Sequence, residues 1–569
     1  MKCLKYCLII FVSTFFNLTV GNSSALAASI IIDGNSEPTV SGLYLTSNYS
    51  DDAACFQAAL DNAQSGDTII IREGDYQISR QIKELNKNLN IIGEGKVTFY
   101  LNTSTLPGLY FAGSVITNES LSINAQKGSS HVVLNNASQV HQNDLIKIWK
   151  NIQWCPLDYP DQMTTGELYL VKNVSGNVVT LNQPLLRDYN LSETVHVEIY
   201  RPIEIHIKNI RVQNINATGE YKGIALQYCK DSSVTDSWFK DNGQLSLILY
   251  TCYNLNVINN TIYDSIHEGN GYGISVADAS AFVNIENNYI ENCRHTIMSG
   301  TDDFKALNRD IFIYNNYLIG GNIEGSYVID SHPTTINYIV TKNRIHPKPG
   351  FIAFSDGTLQ STFSENEVYG GSGAVKRRGS VNNGVHVIEG NIIEGTTYLA
   401  DGNGIGGTLI IKNNTQRNGD YGVVFINGES FRNIVISGNR FSNISDYGIY
   451  QKFLIDGVNL SILNNTFENI NQEGIYVDGN NLKSGIVKIQ NNSLINVFTS
   501  NSTAGIKIKN IHNVSISGNT ISGNTISGNT ISGNTISGNK MYSLHSFARN
   551  VISNMLLILS NIRSSKISV

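Results

Sequence analysis

Short runs of alternating apolar and polar residues recur along most of this chain, and each ends on an asparagine. Asn254-Leu-Asn-Val-Ile258 and Asn433-Ile-Val-Ile-Ser437 are two such runs. A second short run follows each asparagine, as at Thr261-Ile262 and Arg440-Phe441. A third often opens on glycine and a β-branched residue, as at Gly223-Ile224, Gly273-Ile274, Gly422-Val423 and Gly448-Ile449. The asparagine steps run from Asn259-Asn260 to Gly518-Asn519, with spacings of 28, 28, 27, 23, 25, 23, 25, 26, 27 and 27 residues. A drifting period between about 20 and 50 residues is the mark of a solenoid.

The alternation predicts strands, and the spacing predicts three short strands per rung. One rung cannot bury its apolar face alone, whereas stacked rungs bury a continuous core. Asparagine suits the corner because it tolerates the left-handed backbone region and bonds its own backbone. Stacked amides can also bond from rung to rung. The expected fold is all-β, a right-handed parallel β-helix. A propeller fits less well, because its blades repeat nearer 40 residues and are joined by hairpins.

Composition narrows the function classes. The chain has 569 residues, a net charge of −6 and only 15% charged residues, which excludes the basic stripe of a nucleic-acid surface. Residues 1–28 read as a signal peptide: Lys2 and Lys5, the apolar run Leu8 to Phe16, then Ala25-Leu26-Ala27. That run is too short to span a bilayer. The expectation is a secreted, periplasmic or cell-surface protein, monomeric and without an integral membrane segment. Cysteines Cys55, Cys155, Cys229, Cys252 and Cys293 follow the signal, an odd number without a CxxC pair. They read as buried thiols rather than a disulfide framework or zinc site, although Cys229 and Cys252 lie one rung apart.

Residues 51–63 form the best helix candidate, with Asp51 or Asp52 as cap. Gly66-Asp67-Thr68, Gly74-Asp75-Tyr76 and Ile91-Ile92-Gly93-Glu94-Gly95 follow as turns and strands. This block resembles the opening of the pectate-lyase-like β-helix proteins, in which a short helix plugs the first rung. A plug answers a physical need, since an open solenoid end exposes apolar core and strand edges. The division is then 29–119 for cap and first rungs, 120–202 for a β-rich insert, 203–540 for the main coil and 541–569 for a tail or cap. Trp149, Trp154, Tyr159 and Tyr169 of the insert could stack on sugar rings or pack the insert. Near the end, Ile516-Ser-Gly-Asn recurs five times at a period of five.

Chemistry should lie where the coil carries polar residues it does not need. Residues 264–378 stand out, with His267-Glu268, Arg294-His295, Asp302-Asp303, Arg309-Asp310, Asp330-Ser-His332, Arg344, His346, Lys348, Asp356 and Lys376-Arg377-Arg378. In an extended strand Asp330 and His332 share a face. A carboxylate beside an imidazole on a rigid face is an acid–base device. The stretch Tyr327-Val-Ile-Asp330-Ser-His332-Pro-Thr-Thr335-Ile336-Asn337 resembles the motif of the alginate (mannuronan) C5-epimerases, Tyr-x-x-Asp-Pro-His followed by Thr-Ile-Asn. Ser331 replaces the proline, and the match covers about eleven residues.

The resemblance implies catalysis by Tyr327, Asp330 and His332 on a uronate-containing polysaccharide. The proton at C5 is abstracted, and the intermediate is either reprotonated (epimerase) or expels the 4-linked sugar (lyase). Arg294 and His295, one rung earlier, are the candidates for the basic member, with Lys376, Arg377 and Arg378 as binders of the acidic chain. No cofactor is called for, and Asp302-Asp303 could take calcium only with further oxygens. The alternative is a non-catalytic β-helix: a surface adhesion or glycan-binding protein, or one resembling the periplasmic copper-maturation β-helix proteins.

Overall fold

The computed structural model describes residues 28–34, 42–103, 105–154, 163–377, 384–402, 406–426, 431–482, 484–497, 505–511, 513–522, 535–537 and 540–542. The expected signal peptide, Cys155, Tyr159, Arg378, most of the five-residue repeat and the tail beyond 542 lie outside the described residues. The chain winds into a right-handed parallel β-helix. Among the described residues, strands from successive rungs stack into three sheets of 18, 16 and 14 strands. We call them the first, second and third sheets.

The asparagine step builds the corner between the first and second sheets by dividing the work between two residues. The leading residue takes the left-handed conformation: Asn259 (φ 59°), Asn287 (57°), Lys342 (56°) and Glu365 (53°). The second asparagine is buried and carries the ladder. Its amide nitrogen donates to the next rung's side-chain oxygen, from Asn260 to Asn288 at 3.0 Å through Asn492 to Asn519 at 2.9 Å. That same oxygen accepts the previous rung's backbone N–H, as from Asn366 to Asn391 at 2.8 Å. Buried corner amides are therefore paired in both directions, as burial of polar groups requires.

The N-terminal end is plugged by the helix Asp52–Asn62, which Asp51 caps by accepting the Ala54 N–H at 2.7 Å. Phe56 enters the core edge-on to Phe99 and Tyr76, at 4.9 and 5.2 Å between ring centres. Cys55, Cys229, Cys252 and Cys293 are buried free thiols.

Between the third sheet and the return to the first, the chain leaves the coil. Strands Ser114–Glu119, His131–Val133, Leu145–Gln153, Thr164–Ser175, Val178–Leu181 and Val195–Arg201 form a separate antiparallel sheet. It docks against later rungs. The Leu307 N–H donates to Gly166 O (3.1 Å), the buried Arg309 guanidinium to Leu168 O (3.0 Å), and the Trp154 indole N–H to Pro333 O (2.5 Å). Trp149 stacks on His196 at 4.8 Å, and Tyr169 is fully buried. Trp149 and Trp154 pack the insert onto the coil, and Tyr169 lies in the insert's own core.

Candidate functional site

Register along the third sheet decides which residues of the polar zone face outward. Ile274, Ile297, Ile329, Phe354, Val375 and Ala400 form an inward column. Ser275, Met298, Asp330, Ser355, Lys376 and Asp401 form the next column, on the outer face. Successive strand residues alternate faces, so Ser299, Ser331, Asp356 and Arg377 turn back inward.

The outer wall gathers most of the expected residues. Asp330 Oδ2 lies 3.1 Å from His332 Nε2 and 3.4 Å from His295 Nε2. Asp330 and His295 are each 1% exposed, whereas the His332 side chain keeps 23% of its surface. Arg294 Nη1 approaches His295 Nε2 at 2.9 Å and donates to Gly269 O at 2.9 Å. On the other side of the ring, Nδ1 lies 2.9 Å from Tyr327 O and 3.1 Å from the Tyr327 backbone nitrogen. Burial pushes His295 down to about 4; Asp330 opposes this and Arg294 adds to it. His295 is therefore a neutral imidazole, stacked between the rings of Tyr272 (5.1 Å) and Tyr327 (5.8 Å).

Arg377 requires a correction. It was expected to bind an acidic chain at the surface, but it is 4% exposed and lies inside the coil. Its guanidinium pairs with Asp356 Oδ1 at 2.9 Å and donates to Asp356 O and Thr358 O. Strand alternation explains this: Lys376 takes the outward position in register with Asp330, which leaves its neighbour facing in. Burial pushes the Asp356 carboxyl up, but Arg377 and His386 outweigh it and hold the group well below the usual range.

One carboxyl that sequence reading passed over joins this wall. Asp278 follows the strand Tyr272–Ala277, one rung before Asp302-Asp303 and 24 residues earlier than Asp302, so the coil's own period sets it against the backbone of that pair. Asp278 Oδ1 accepts the Asp302 N–H at 2.6 Å, the Asp303 N–H at 3.2 Å and the Thr301 hydroxyl at 3.0 Å. Burial, and then the Asp303 carboxylate, raise Asp278 to about 6. Asp278 and Ala279 both sit in the left-handed region (φ 56° and 70°), a cost of about 1–2 kcal/mol per residue. The same corner is left-handed at Tyr228 (φ 52°) and Thr251 (φ 50°) on the two preceding rungs, so this conformation belongs to the coil.

Asp302 is exposed and accepts the Tyr250 hydroxyl at 3.0 Å. Asp303 Oδ2 lies 2.8 Å from Lys147 Nζ of the insert. Calcium at Asp302-Asp303 would thus compete with an ammonium and a phenol. Among the described residues no three His, Cys, Asp or Glu side chains are grouped to hold a metal ion. Asp278 and Asp302 follow the paired strands Tyr272–Ala277 and His295–Gly300, and the latter pairs with Tyr327–Ser331, so the carboxyls and the Asp330–His332 pair lie on successive rungs of one sheet. The insert borders that wall, with Lys147 at Asp303 and Trp154 at Pro333.

Comparison with known proteins agrees with the fold. A family model for the right-handed β-helix region matches residues 185–316. No curated protein matches the chain. Among solved structures, the tailspike protein gp49 of Pseudomonas phage LKA1 is similar at a TM-score of 0.59 and 19% identity, over 82% of this chain and 78% of that one. The tailspike gp61 of Pseudomonas phage phi297 is similar at 0.55 and 16%, over 81% and 77%. The Gp54 tailspike of Acinetobacter baumannii bacteriophage AP22, solved in complex with A. baumannii capsular saccharide, is similar at 0.55 and 15%, over 82% and 76%. At such identities the likeness is one of fold: this chain is a right-handed parallel β-helix.

Proposed function

We propose that this protein is a polysaccharide-cleaving enzyme whose glycan lies along the third sheet, beside the insert, and whose glycosidic bond is hydrolysed at Asp278, Asp302 and Asp303. The observation that carries the reading is a buried carboxyl, Asp278, whose Oδ1 accepts the backbone N–H groups of two further acidic residues on the adjoining rung at 2.6 and 3.2 Å, and which burial pushes up to about 6. Glycoside hydrolysis needs that pairing: one carboxyl still protonated near neutrality to protonate the leaving oxygen, and one ionised to act on water or on the sugar. Asp278 is the proton donor. Asp302, exposed and oriented by Tyr250, is the carboxylate that faces the bond. A protein of the same fold, the AP22 tailspike, is found with a capsular saccharide.

A second reading is C5 proton abstraction from a uronate, by epimerisation or β-elimination. One observation favours it: Asp330 holds His332 at 3.1 Å while Lys376 stands two rungs along the same outward column. His332 would take the proton and Lys376, with Arg294, would meet the uronate carboxylate. Tyr327 would serve the opposite ring face.

Incubation with poly-mannuronate, other uronans and neutral glycans separates the readings. Hydrolysis releases reducing ends without ultraviolet absorbance. Elimination gives an unsaturated, absorbing product, and epimerisation gives C5 exchange by proton NMR. The hydrolytic reading predicts that Asp278→Asn lowers turnover by about 10²–10⁴-fold in a folded protein. Loss of an eliminative or epimerising activity in His332→Ala, with Asp278→Asn spared, would favour the second reading. Intact folded protein that changes none of these glycans would refute both for those substrates.

A further inference from the structure

The outer face of the third sheet changes character beyond the polar zone. The outward column that carries Asp330, Lys376 and Asp401 continues through Val424 to Tyr450 and Tyr476. Two further tyrosines, Tyr421 and Tyr447, each precede the glycine that opens a strand of this sheet. The four rings form one cluster. Tyr447 and Tyr450 share a rung at 4.5 Å between ring centres, tilted by 38°. Tyr421 lies parallel to Tyr447 from the rung before, at 6.2 Å, and Tyr476 follows Tyr450 on the rung after, at 5.1 Å. None of the four serves the core, whose column here is Val423, Ile449 and Ile475. Ser355, Lys376 and Asp401 fill earlier places of the outward column, so the coil does not call for an aromatic ring there.

The second sheet shows rings that serve only the coil. There Tyr289 and Tyr317 stack in single file at 5.4 Å and 6°, each face covering the next. The third-sheet tyrosines instead stand two abreast, and Tyr447 meets Tyr476 at 66°, so they do not close into one ladder. Tyr421, Tyr447 and Tyr450 are half-buried and reach solvent. Polar groups rim them. The Tyr421 hydroxyl donates to Asp446 and the Tyr476 hydroxyl to Asp478 at 3.3 Å, while Lys507 and Lys509 stand 5.7 and 5.6 Å from the Tyr476 ring. An exposed aromatic cluster with a polar rim is an interaction surface. Phenol faces pack on the C–H faces of pyranose rings, and carboxylates and ammonium groups bond sugar hydroxyls.

Resting on the reading that a glycan lies along this sheet, we propose that these tyrosines are a distal binding site for the same chain. Tyr450 stands six rungs beyond the rung of Asp302. At about 5 Å per rung that is about 30 Å, and an extended glycan advances by about one sugar per rung. The substrate is therefore a long polysaccharide rather than a short oligosaccharide. Tyr447 and Tyr450 hold the chain and take no part in the chemical step.

The test measures binding apart from cleavage. Asp278→Asn protein, with and without the paired changes Tyr447→Ala and Tyr450→Ala, is run by affinity electrophoresis through gels holding poly-mannuronate, polygalacturonate, dextran or xylan. At least one of these should retard the Asp278→Asn protein, and the paired alanines should weaken that binding about tenfold or more. In the otherwise wild-type enzyme they should raise KM for the long chain by the same factor and leave kcat unchanged. On tetrasaccharides, too short to reach the cluster, kcat/KM should not change. If the paired variant fails to fold, Tyr447→Leu serves instead: it keeps an apolar side chain without a ring, and it should also weaken long-chain binding. Retardation by none of the glycans, or an equal loss on tetrasaccharides and long chains, would overturn the proposal. Unchanged retardation in the tyrosine variants would overturn it too, and would leave the cluster to a protein partner. A wild type that binds a glycan through these tyrosines but cleaves none would overturn the hydrolytic reading and leave the distal site standing.

Discussion

Asp278 and His295 are buried titratable groups on the same wall, and they pull stability in opposite directions with pH. Asp278 has a raised pKa, so the folded state holds a proton that the unfolded chain releases. Its contribution is present below about pH 4 and is lost as pH rises through about 6, a swing of about 3 kcal/mol. His295 has a lowered pKa, so the unfolded chain binds the extra proton. Its contribution is full above about pH 6.5 and is lost as pH falls toward 4, again about 3 kcal/mol. The two nearly cancel in the wild type. Denaturant unfolding between pH 4 and 7 should show this. His295→Gln should become more stable on acidification relative to wild type, and Asp278→Asn less stable. Parallel pH profiles for all three proteins would contradict the burial argument.

At the scale of elements, the asparagine ladder makes a prediction independent of function. Asn391 Oδ1 accepts the Asn366 N–H, and its amide donates to Asn414 Oδ1 and Phe363 O. Asn391→Ala leaves a buried N–H and carbonyls unpaired and should cost about 2–4 kcal/mol. Asn433 is exposed on a strand of the first sheet, and its replacement by alanine should stay within about 0.5 kcal/mol. Equal midpoints in thermal unfolding would show that the ladder is not what the buried amides are for. This contrast was legible in the sequence, because a step repeated at every rung exposes its own spacing. The division of labour within the step was not: the left-handed residue is the leading one, and Lys342 and Glu365 fill that place as asparagine does.

The site was legible in part, for a reason set by the coil itself. Tyr327, Asp330 and His332 lie within six residues of each other, so strand alternation alone puts Asp330 beside His332. Residues from different rungs meet only if each rung's length is known, and the rungs here vary between 23 and 28 residues. A shift of one residue turns a side chain from wall to core, which is how Arg377 came to lie inside. Asp278 carried a signal after all: a carboxylate just after an apolar strand, 24 residues before Asp302. Lys147 carried none, since 156 residues separate it from Asp303.

At the scale of the whole molecule, the rigid sheet fixes the order of groups that a glycan bound as proposed would meet. Tyr250 and Asp302 come first, then His332 with Asp330, then Lys376, each about 5 Å further along per rung. The insert lies against the same stretch of wall. Among the described residues no helix is long and apolar enough to cross a membrane. The central claim of the proposed function is that the Asp278 carboxyl donates the proton on this wall. The most direct test is the pH dependence of kcat/KM for release of reducing ends by the wild type. The account predicts that activity falls about tenfold per unit above about pH 6, as Asp278 loses its proton. Undiminished activity up to pH 8 would contradict it.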